Sequence, residues 1–278
     1  MLTHIVLFQG WSLSSVFNLV KRWKISYQRG RSYHHSPDQN YADKYDYIKA
    51  IIERLDPDKE ALLFLDEFSF YNHPGVYADW SRQTHQPLAR RALGAQKRRR
   101  LLGAIEVLSG RSFYWSRSAI RIPTLVGFYQ HLCAQMPGKR LYIVVDNWPV
   151  HFHPELISAL EKQHSPFEYH LPKNWLNIKI RNTYKQLNLP IQLLSLPTYA
   201  SWLNPIEKVW KWLNEEVLHH HTFAERFDEL KNEVVPQWLE QLDHRRDELL
   251  HRTGLCKTDG IFPEITQKRL TMNPQLLD

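Results

Sequence analysis

The sequence predicts an α/β domain of three layers, in which a central sheet is covered by helices on both faces. Two five-residue apolar runs, Ala61–Leu65 and Leu141–Val145, show no alternation of polar and apolar residues, which is typical of strands buried on both sides. Between these runs, two strand candidates flank a turn at Ser109-Gly110, and beyond them helical and strand patterns alternate. A hairpin followed by alternating helices and strands is the order expected of such a domain.

The composition bounds the class of protein. The chain has 278 residues, a hydrophobic fraction of 43% and a formal net charge of +7, which suits one large domain or one domain with a small appendage. No apolar run approaches the roughly 20 residues that span a membrane, and no secretory signal is visible. Cys133 and Cys256 form no CxxC pair, so we expect neither a disulfide framework nor a cysteine zinc site. These features predict a cytoplasmic globular protein.

Basic residues are concentrated in two parts of the chain. Residues 82–121 contain ten Lys or Arg and one acid, and residues 1–36 contain five Lys or Arg and no acid. Residues 207–250, by contrast, contain eleven acids and six bases. Blocks of positive charge indicate a polyanionic partner, most often nucleic acid, although a solvated basic face without a ligand would have the same composition.

The pattern of each segment assigns the elements in order. Ser12 is expected to cap a helix that reaches Trp23, whose basic end is typical either of the last helix of a helix-turn-helix or of an ordinary surface helix. A second helix follows Ser36-Pro37 and stops at Asp56. The remaining elements are predicted as strands at 101–108, 111–115 and 191–196, helices at 122–135, 151–163 and from 204 to about 219, and an irregular stretch at 164–190.

Three acids lie where α/β enzymes place catalytic groups. Asp66 and Asp146 each follow an apolar strand at the carboxyl edge of the sheet, and Glu207 lies in the first turn of the helix that opens at Asn204-Pro205. Singly, the aspartates could be turn residues, and Glu207 could be the partner of Asn204 in a capping box. Together, converging carboxylates would raise one another's pKa unless a cation neutralised them. Mg²⁺ is the cation that such oxygens prefer.

Three segments resemble the DDE transposases of the mariner superfamily, and within it the bacterial branch named after insertion sequence 630. They are FLDE at 64–67, VVDNWPVH at 144–151 and, most specific of the three, LPTYASWLNPIEKVW at 196–210. The resemblance covers about residues 11–250. It implies a ribonuclease-H-like fold with a mixed central sheet, preceded by a partial helix-turn-helix. It also implies that Asp66, Asp146 and Glu207 bind two Mg²⁺ ions, for which Mn²⁺ can substitute.

The resemblance further implies an activity and its partners. The enzyme would cut double-stranded DNA at the terminal inverted repeats of a transposon and join the freed 3′-hydroxyl to target DNA, commonly at a TA dinucleotide. It would act as a homodimer, in the nucleoid of a bacterial cell. Two alternatives stay open: a catalytically silent transposase remnant that only binds DNA, and a structure-selective nuclease on the same fold.

Other residues are assigned to supporting and binding roles. We expect Glu67, Asn147 and His151 to support the metal ligands, with Glu67 on the opposite face of its strand from Asp66. The histidine-rich stretches lack the partners and spacing of a zinc site. Nine bases are expected to contact DNA phosphates: Lys21, Arg22, Lys24, Arg29, Arg31, Lys97, Arg98, Arg99 and Arg100.

The predicted organisation has four parts. They are a truncated helix-turn-helix-like DNA-binding segment at 1–36, a connector helix at 37–60, a catalytic domain at 61–250 and a C-terminal tail at 251–278. The 61 positions from Asp146 to Glu207 exceed the spacer usual in this branch, and the excess falls at about 164–190, where an insertion can bulge without moving the acids. Because only ten residues precede Trp11, we expect the supporting helices to be missing and transposon ends to be recognised poorly.

Overall fold

A computed structural model describes residues 10–24, 36–76, 88–169, 171–175 and 178–273. The chain divides into two compact units, Met1–His35 and Ser36–Asp278. The first unit contains helix α1 (Leu13–Arg22), which begins after Ser12 as predicted. Ser12 Oγ accepts a hydrogen bond from the Ser15 amide, so the side chain satisfies one of the free N–H groups at the start of the helix.

The second unit alternates strands and helices around one sheet. Its strands are β1 (Glu60–Tyr71), β2 (Arg98–Glu106), β3 (Ser112–Arg117), β4 (Arg140–Val145) and β5 (Ile191–Ser195). Its α-helices are α2 (Tyr41–Arg54), α3 (Ile122–Gln135), α4 (Pro154–Ser158), α5 (Asn182–Lys185), α6 (Ile206–Leu213), α7 (Phe227–Glu229), α8 (Val235–Gln241), α9 (Arg246–Thr253) and α10 (Pro263–Met272). A π-helical turn at Asn214–Leu218 continues α6, and a second π-helical turn at Leu230–Val234 joins α7 to α8.

The five strands form a mixed sheet in the order β3-β2-β1-β4-β5. β2 pairs antiparallel with both β1 and β3. On the other side of β1, β4 runs parallel to β1, and β5 runs parallel to β4. The pairing of β1 with β4 ends at Phe64 opposite Val144, but the pairing of β1 with β2 continues to Tyr71 opposite Arg98. The carboxyl half of β1 therefore extends beyond the parallel part of the sheet.

Both faces of the sheet are buried, as the unbroken apolar runs predict. Leu62 and Phe64 of β1 belong to a core that includes α2, α6, α8, α9 and α10. Leu63 and Leu65, which point the other way, belong to a second core that includes α3 and α4. Each of these four side chains is fully buried. Burying a side chain of this size contributes roughly 1.5–3 kcal/mol, so the two cores together hold the sheet in place.

Two predicted elements are wrong in extent. Asp66 lies inside β1 and not after it, because the antiparallel partner β2 continues to pair with β1 beyond the parallel ladder. The helix predicted at 151–163 is a 3-10 turn (Pro149–Phe152) followed by α4, which ends at Ser158. The Glu161 amide donates a hydrogen bond to the Leu189 carbonyl, so the backbone there leaves the helix to pair with another segment.

The remaining segments differ in how much regular structure they contain. The described part of 164–190 is mostly irregular, as predicted, with a 3-10 turn at Lys173–Trp175 and the short helix α5. The segment predicted as a tail contains α10, and its Phe262 and Ile265 are buried in the core that includes α2. The end of the chain thus contributes to the packing of the second unit.

Candidate active site

Asp66 lies just beyond the parallel ladder, opposite Gly103 of β2. Its Oδ2 accepts a hydrogen bond of 2.9 Å from Trp210 Nε1. Burial raises the pKa of Asp66 well above its ordinary value, and the charges of Glu207 and Glu67 raise this pKa further. A carboxylate whose ionised form is disfavoured in this way gains from a cation placed beside it.

Asp146 follows β4 immediately, at the position that the sequence predicts. Its Oδ1 accepts a hydrogen bond of 2.9 Å from the Trp148 amide and lies 3.4 Å from His151 Nε2. Burial by itself would raise the pKa of Asp146, but His151 and the Trp148 amide lower this pKa below its ordinary value. Asp146 is therefore held as an ionised carboxylate at neutral pH, with about half of its side chain (49%) exposed.

Glu207 lies in the first turn of α6, as predicted. Burial raises the pKa of Glu207, and the negative charge of Asp146 raises this pKa further. The charge of Glu207 in turn raises the pKa of Asp66. The fold therefore brings three acids that are distant in sequence close enough to affect one another's pKa, just beyond the end of the parallel pairing of β1 with β4.

The alternative in which Glu207 belongs to a capping box with Asn204 is wrong. Pro205 occupies the N-cap position of α6, and no side chain accepts a capping hydrogen bond from the first amides of this helix. Asn204 Nδ2 instead donates a hydrogen bond of 3.2 Å to the carbonyl of Leu65, the residue before Asp66. Because Asn204 is buried, this bond attaches the start of α6 directly to β1.

His151 connects Asp146 to Glu67. It is fully buried, and its Nε2 lies 3.4 Å from Asp146 Oδ1 and 3.5 Å from Glu67 Oε1. Burial by itself would lower the pKa of His151, but the charges of the two carboxylates raise it to about 10. His151 is therefore an imidazolium at neutral pH. Glu67 points away from Asp66, which contacts Trp210 on the opposite face of β1, as predicted.

Asn147 joins the ends of the two parallel strands β4 and β5. Its Nδ2 donates a hydrogen bond of 2.5 Å to the carbonyl of Leu196, just after β5. The Leu196 amide in turn donates to the carbonyl of Val145. These two bonds fix the backbone on both sides of Asp146, at Val145 and at Asn147.

The donor set fits a hard divalent cation. The pKa values of Asp66 and Glu207 are raised, so their ionised forms are disfavoured, whereas the pKa of Asp146 is lowered and its ionised form is favoured. Carboxylate oxygens are the ligands that Mg²⁺ and Mn²⁺ bind, and such a cation would relieve the repulsion. Across the described ranges, no group of three His, Cys, Asp or Glu side chains already forms a metal-binding cluster.

The basic tract at the start of β2 divides into two pairs. Lys97 and Arg98 are exposed, whereas Arg99 and Arg100 are half-buried. Arg99 donates hydrogen bonds to Ser116 Oγ at 2.8 Å and to the Ser116 carbonyl at 3.0 Å, so its guanidinium attaches β2 to β3. Lys97 and Arg98 are therefore the members of this tract that are most open to solvent, and hence to a phosphate.

The basic residues of the first unit are described only in part. Lys21, Arg22 and Lys24 are exposed at the end of α1, where positive charge also favours the helix terminus. Arg29 and Arg31 lie outside the described residues. In the ranges that the structure covers, no helix has both the length and the apolar character to cross a bilayer.

No local pattern in the sequence indicates a role for Trp210, and the capping pattern indicates the wrong partner for Asn204. Both donate to the segment Leu65-Asp66, and neither contact can be read from composition or spacing. The one available signal is Gly103, because a glycine inside a buried strand often marks a place where another group approaches closely.

Comparison with known proteins identifies the family and the fold of this chain. Residues 61–231, well over half of the chain, match the family described as DDE superfamily endonuclease, and this range includes all three acids. No curated protein matches the chain. Three solved structures are similar, each with 15% identity over 94% of this chain and 70% of theirs. They are a Mos1 transposase paired-end complex with left transposon end (TM-score 0.57) and mariner Mos1 paired-end complexes with Mg (0.58) and with Mn (0.59).

At this identity the solved structures establish the fold, which is ribonuclease-H-like with a mixed five-stranded sheet, as the resemblance implies. The family match covers the strands and the helix that carry the three acids. The chain belongs to the DDE superfamily of endonucleases.

Proposed function

We propose that this chain is a DNA transposase of the mariner superfamily, in the bacterial insertion sequence 630 branch. It would hydrolyse phosphodiester bonds at transposon ends and transfer the freed 3′-hydroxyl strand into target DNA. The observation that carries the proposal is that the three acids stand on neighbouring elements inside the region that matches the endonuclease family: Asp66 on β1, Asp146 directly after the adjacent strand β4, and Glu207 on α6, whose Trp210 bonds to Asp66. Perturbed acids at the carboxyl edge of a sheet are candidates for catalysis.

Asp66, Asp146 and Glu207 would hold two Mg²⁺ ions, with Mn²⁺ able to replace them. When bound, such a pair activates an attacking water and stabilises the leaving oxygen of an in-line displacement. The complexes of Mos1 with Mg and with Mn, which have the same fold, support this choice of metal.

The surrounding residues would keep the acids ready to bind a cation. His151 and the Trp148 amide hold Asp146 in its ionised form, so this carboxylate need not lose a proton first. Glu67 balances the charge of His151 in the interior. Asn147 and Asn204 attach the ends of the strands and the start of α6 to one another, which keeps the acids on a rigid support.

DNA would be held by basic residues outside the acidic cluster. Arg98 is exposed at the first position of β2 and Lys97 is exposed just before it, and Gly103 of the same strand lies opposite Asp66. The two bases therefore lie at one end of the strand pair that carries Asp66. Phosphate contacts of this kind position a duplex without reading its sequence. The Mos1 complex with left transposon end supports transposon DNA as the partner. The substrate would be the terminal inverted repeats, the target would commonly be a TA dinucleotide, and the active form would be a homodimer.

Two alternatives make different use of the same fold. A catalytically silent remnant needs no ionised Asp146, so the contacts of His151 and Trp148 with that carboxylate favour the enzyme. A structure-selective nuclease would share the site and differ only in its substrate. Formation of joined DNA products separates this nuclease from a transposase.

The test uses the purified chain, Mg²⁺ or Mn²⁺, and DNA that carries the inverted repeats flanking its gene. We expect nicks that leave 3′-hydroxyl ends, no nicks in the presence of EDTA, and joined products when target DNA is added. Nicks without joined products would indicate a nuclease, and DNA binding without nicks would indicate the silent remnant.

A further inference from the structure

We infer that Trp210 is a positioning residue for Asp66, and that Gly103 is present because it leaves room for the Trp210 indole. The inference rests on the proposed function in one respect, since it takes Asp66 as a ligand of the metal ion. It assigns Trp210 the task of fixing the orientation of that carboxylate before any cation arrives.

The contact between Trp210 and Asp66 is directional. Trp210 is 2% exposed, and its Nε1 donates to Asp66 Oδ2 at 2.9 Å. Nε1–H is the only polar group of an indole, so a buried Trp210 has one donor to satisfy and satisfies it on this carboxylate. The bond therefore selects one orientation of the Asp66 side chain.

Neighbouring rings fix the indole itself. Phe68 stacks on Trp210 with ring centroids 5.4 Å apart and planes inclined by 14°. Tyr114 contacts the indole edge-on, at 5.9 Å and 67°. Offset-stacked and edge-to-face arrangements are the favoured geometries of aromatic pairs, so Trp210 is packed on two sides in one rotamer.

Gly103 makes the close approach of the indole possible. It lies directly opposite Asp66 in the pairing of β1 with β2. A Cβ at this position would be 2.6 Å from Trp210 Cη2 and 2.9 Å from Trp210 Cζ2, closer than real Cβ contacts. Since glycine weakens the interior of a strand, its presence in β2 needs a reason, and the indole supplies one.

One helix thereby serves two of the proposed ligands. α6 carries Glu207 itself and, one turn later, Trp210, which orients Asp66. The residue before this helix's cap, Asn204, donates to the Leu65 carbonyl and so ties the same helix to β1. Glu207 and Asp66 are therefore held in register by a shared rigid element, which is the arrangement that a preorganised metal site requires.

The chain offers a matched control on the same helix. Trp212 is 1% exposed, and its Nε1 donates at 2.6 Å to the carboxylate of Glu216, which is not among the proposed ligands. Trp210→Phe and Trp212→Phe thus remove the same kind of bond, an indole N–H to a carboxylate. Gly103→Ala disturbs the Trp210 indole without changing it chemically.

Mn²⁺ binding by the full chain without DNA is the first measurement, by calorimetry or electron paramagnetic resonance. Trp210→Phe and Gly103→Ala should each weaken Mn²⁺ binding by about tenfold or more, the typical cost of losing a partner of a metal ligand. Trp212→Phe should bind Mn²⁺ as the wild type does. Cleavage by Trp210→Phe should need more metal for half-maximal rate but recover at saturating metal, a split that general destabilisation would not produce.

A second measurement needs no substitution of tryptophan. In the wild type labelled with ¹⁵N at the indole, Mg²⁺ should shift the Trp210 indole resonance and leave that of Trp212 in place. Asp66→Asn should abolish the Mg²⁺-dependent shift. This readout remains informative if Trp210→Phe or Gly103→Ala fails to fold.

The outcomes separate this inference from the proposed function. Trp210-dependent Mn²⁺ binding in a chain that cleaves no DNA would support the inference and contradict the function. A Trp210→Phe variant that binds Mn²⁺ like the wild type, or a Trp210 resonance that Mg²⁺ does not move, would overturn the inference. Cleavage of DNA by that same variant at wild-type metal concentrations would leave the function standing.

Discussion

His151 is the only described histidine that is fully buried, and it lies between two carboxylates. A charged group inside a protein is tolerated when its partners compensate it, and removing one partner leaves the others uncompensated. Here the partners are Glu67 and Asp146, so the same contacts that stabilise the interior also keep Asp146 ionised. Stability and readiness for metal binding are coupled at this residue.

Replacing His151 by Gln should therefore cost stability as well as activity. We expect His151→Gln to lower the free energy of unfolding by roughly 3 kcal/mol, the low end for breaking a buried charge pair, as measured by urea denaturation. His153→Gln is the control, because His153 is partly exposed, its Nδ1 caps α4 through the Glu155 amide, and its ring contacts Trp175 edge-on without lying between two carboxylates. Its loss should cost about 1 kcal/mol, the typical value for a helix cap.

A double-mutant cycle checks the coupling. Glu67→Gln removes the charge that His151 balances, so Glu67→Gln with His151→Gln should cost less than the sum of the two single changes. Strict additivity would show that the two side chains do not interact in solution.

The contacts of single residues are only partly encoded in local sequence patterns. The positions of Asp146 and Glu207 follow from the end of an apolar strand and the start of a helix, both of which the sequence shows. The hydrogen bonds of Asn204 and Trp210 to β1 do not, because their acceptors are more than a hundred residues away in sequence. A local pattern offers Asn204 a capping role, and tertiary packing overrides it.

At the level of elements, a polar cluster attaches the chain before α2 to the loop between β5 and α6. Asp38 Oδ2 accepts hydrogen bonds of 2.8 Å from Lys44 Nζ and from the Thr198 amide. Ser36 Oγ donates to the Thr198 carbonyl at 2.5 Å. Burial by itself would raise the pKa of Asp38, but Lys44 and the backbone amides of Thr198 and Asn40 lower it to about 2.

This cluster gives stability a defined dependence on pH. Because the pKa of Asp38 is lowered from 3.8 to about 2 on folding, its contribution is present above pH 3.8 and is lost as the pH falls through about 2. Asp38→Asn should therefore lower the free energy of unfolding by roughly 2 kcal/mol at pH 7, and the difference from the wild type should shrink below pH 4. Urea denaturation at several pH values measures it.

The control is Asp56→Asn. Asp56 also pairs with a lysine, Lys59, but both side chains are exposed, and exposed ion pairs contribute little to stability. We expect Asp56→Asn to unfold like the wild type. An Asp38→Asn variant that is as stable as Asp56→Asn at pH 7 would contradict the assignment of this cluster.

At the basic start of β2, the exposed bases should contribute to DNA binding and the bonded Arg99 should not. Replacing the exposed pair, Lys97→Ala with Arg98→Ala, should reduce the slope of log affinity against log salt by about 0.9 per lost phosphate contact. Arg99→Ala should leave that slope unchanged and instead destabilise the pairing of β2 with β3, because Arg99 is bonded to Ser116. Filter binding at several salt concentrations measures the slopes, and equal slopes for all variants would exclude this strand from the DNA interface.

Element boundaries follow from the sequence where local signals agree. α3 has the bounds that its apolar spacing predicts, from Ile122 to Gln135. The helix predicted at 151–163 fails because Pro154 restarts the helix and the backbone near Leu160 pairs with Leu189, a contact that periodicity cannot show. β1 is longer than predicted because the strand beside it continues.

For the whole molecule, the separation of charge has a structural consequence. Part of the negative charge of the acidic stretch 207–250 is balanced inside the second unit. Glu216, for example, accepts hydrogen bonds from the Arg245 guanidinium and from the indoles of Trp212 and Trp238. Lys97 and Arg98 are exposed, and although the charge of Lys97 helps to lower the pKa of Asp228, both side chains face solvent, where a polyanion can contact them.

The fold class follows from the sequence because both β1 and β4 are apolar without alternation, which requires a layer of helices on each face. The mixed sheet order and the two cores agree with that reasoning. What the sequence alone does not specify is how the three acids are oriented, since this depends on contacts between elements that are far apart in the chain.

The central claim is that three acids at one edge of the sheet bind the metal ions that cut DNA, and Asp146→Asn tests it most directly. Asn keeps the shape of Asp146 and an oxygen that can accept the Trp148 amide, so the fold and DNA binding should persist. The lost charge is the one that attracts the cation and that faces His151, which keeps Glu67 as its second partner, so the variant should be less stable but still folded. Asp56→Asn serves as the control for an exposed aspartate outside the site. We predict that Mg²⁺-dependent cleavage of inverted-repeat DNA falls by orders of magnitude in Asp146→Asn and not in Asp56→Asn. Cleavage by Asp146→Asn at the wild-type rate would contradict the claim.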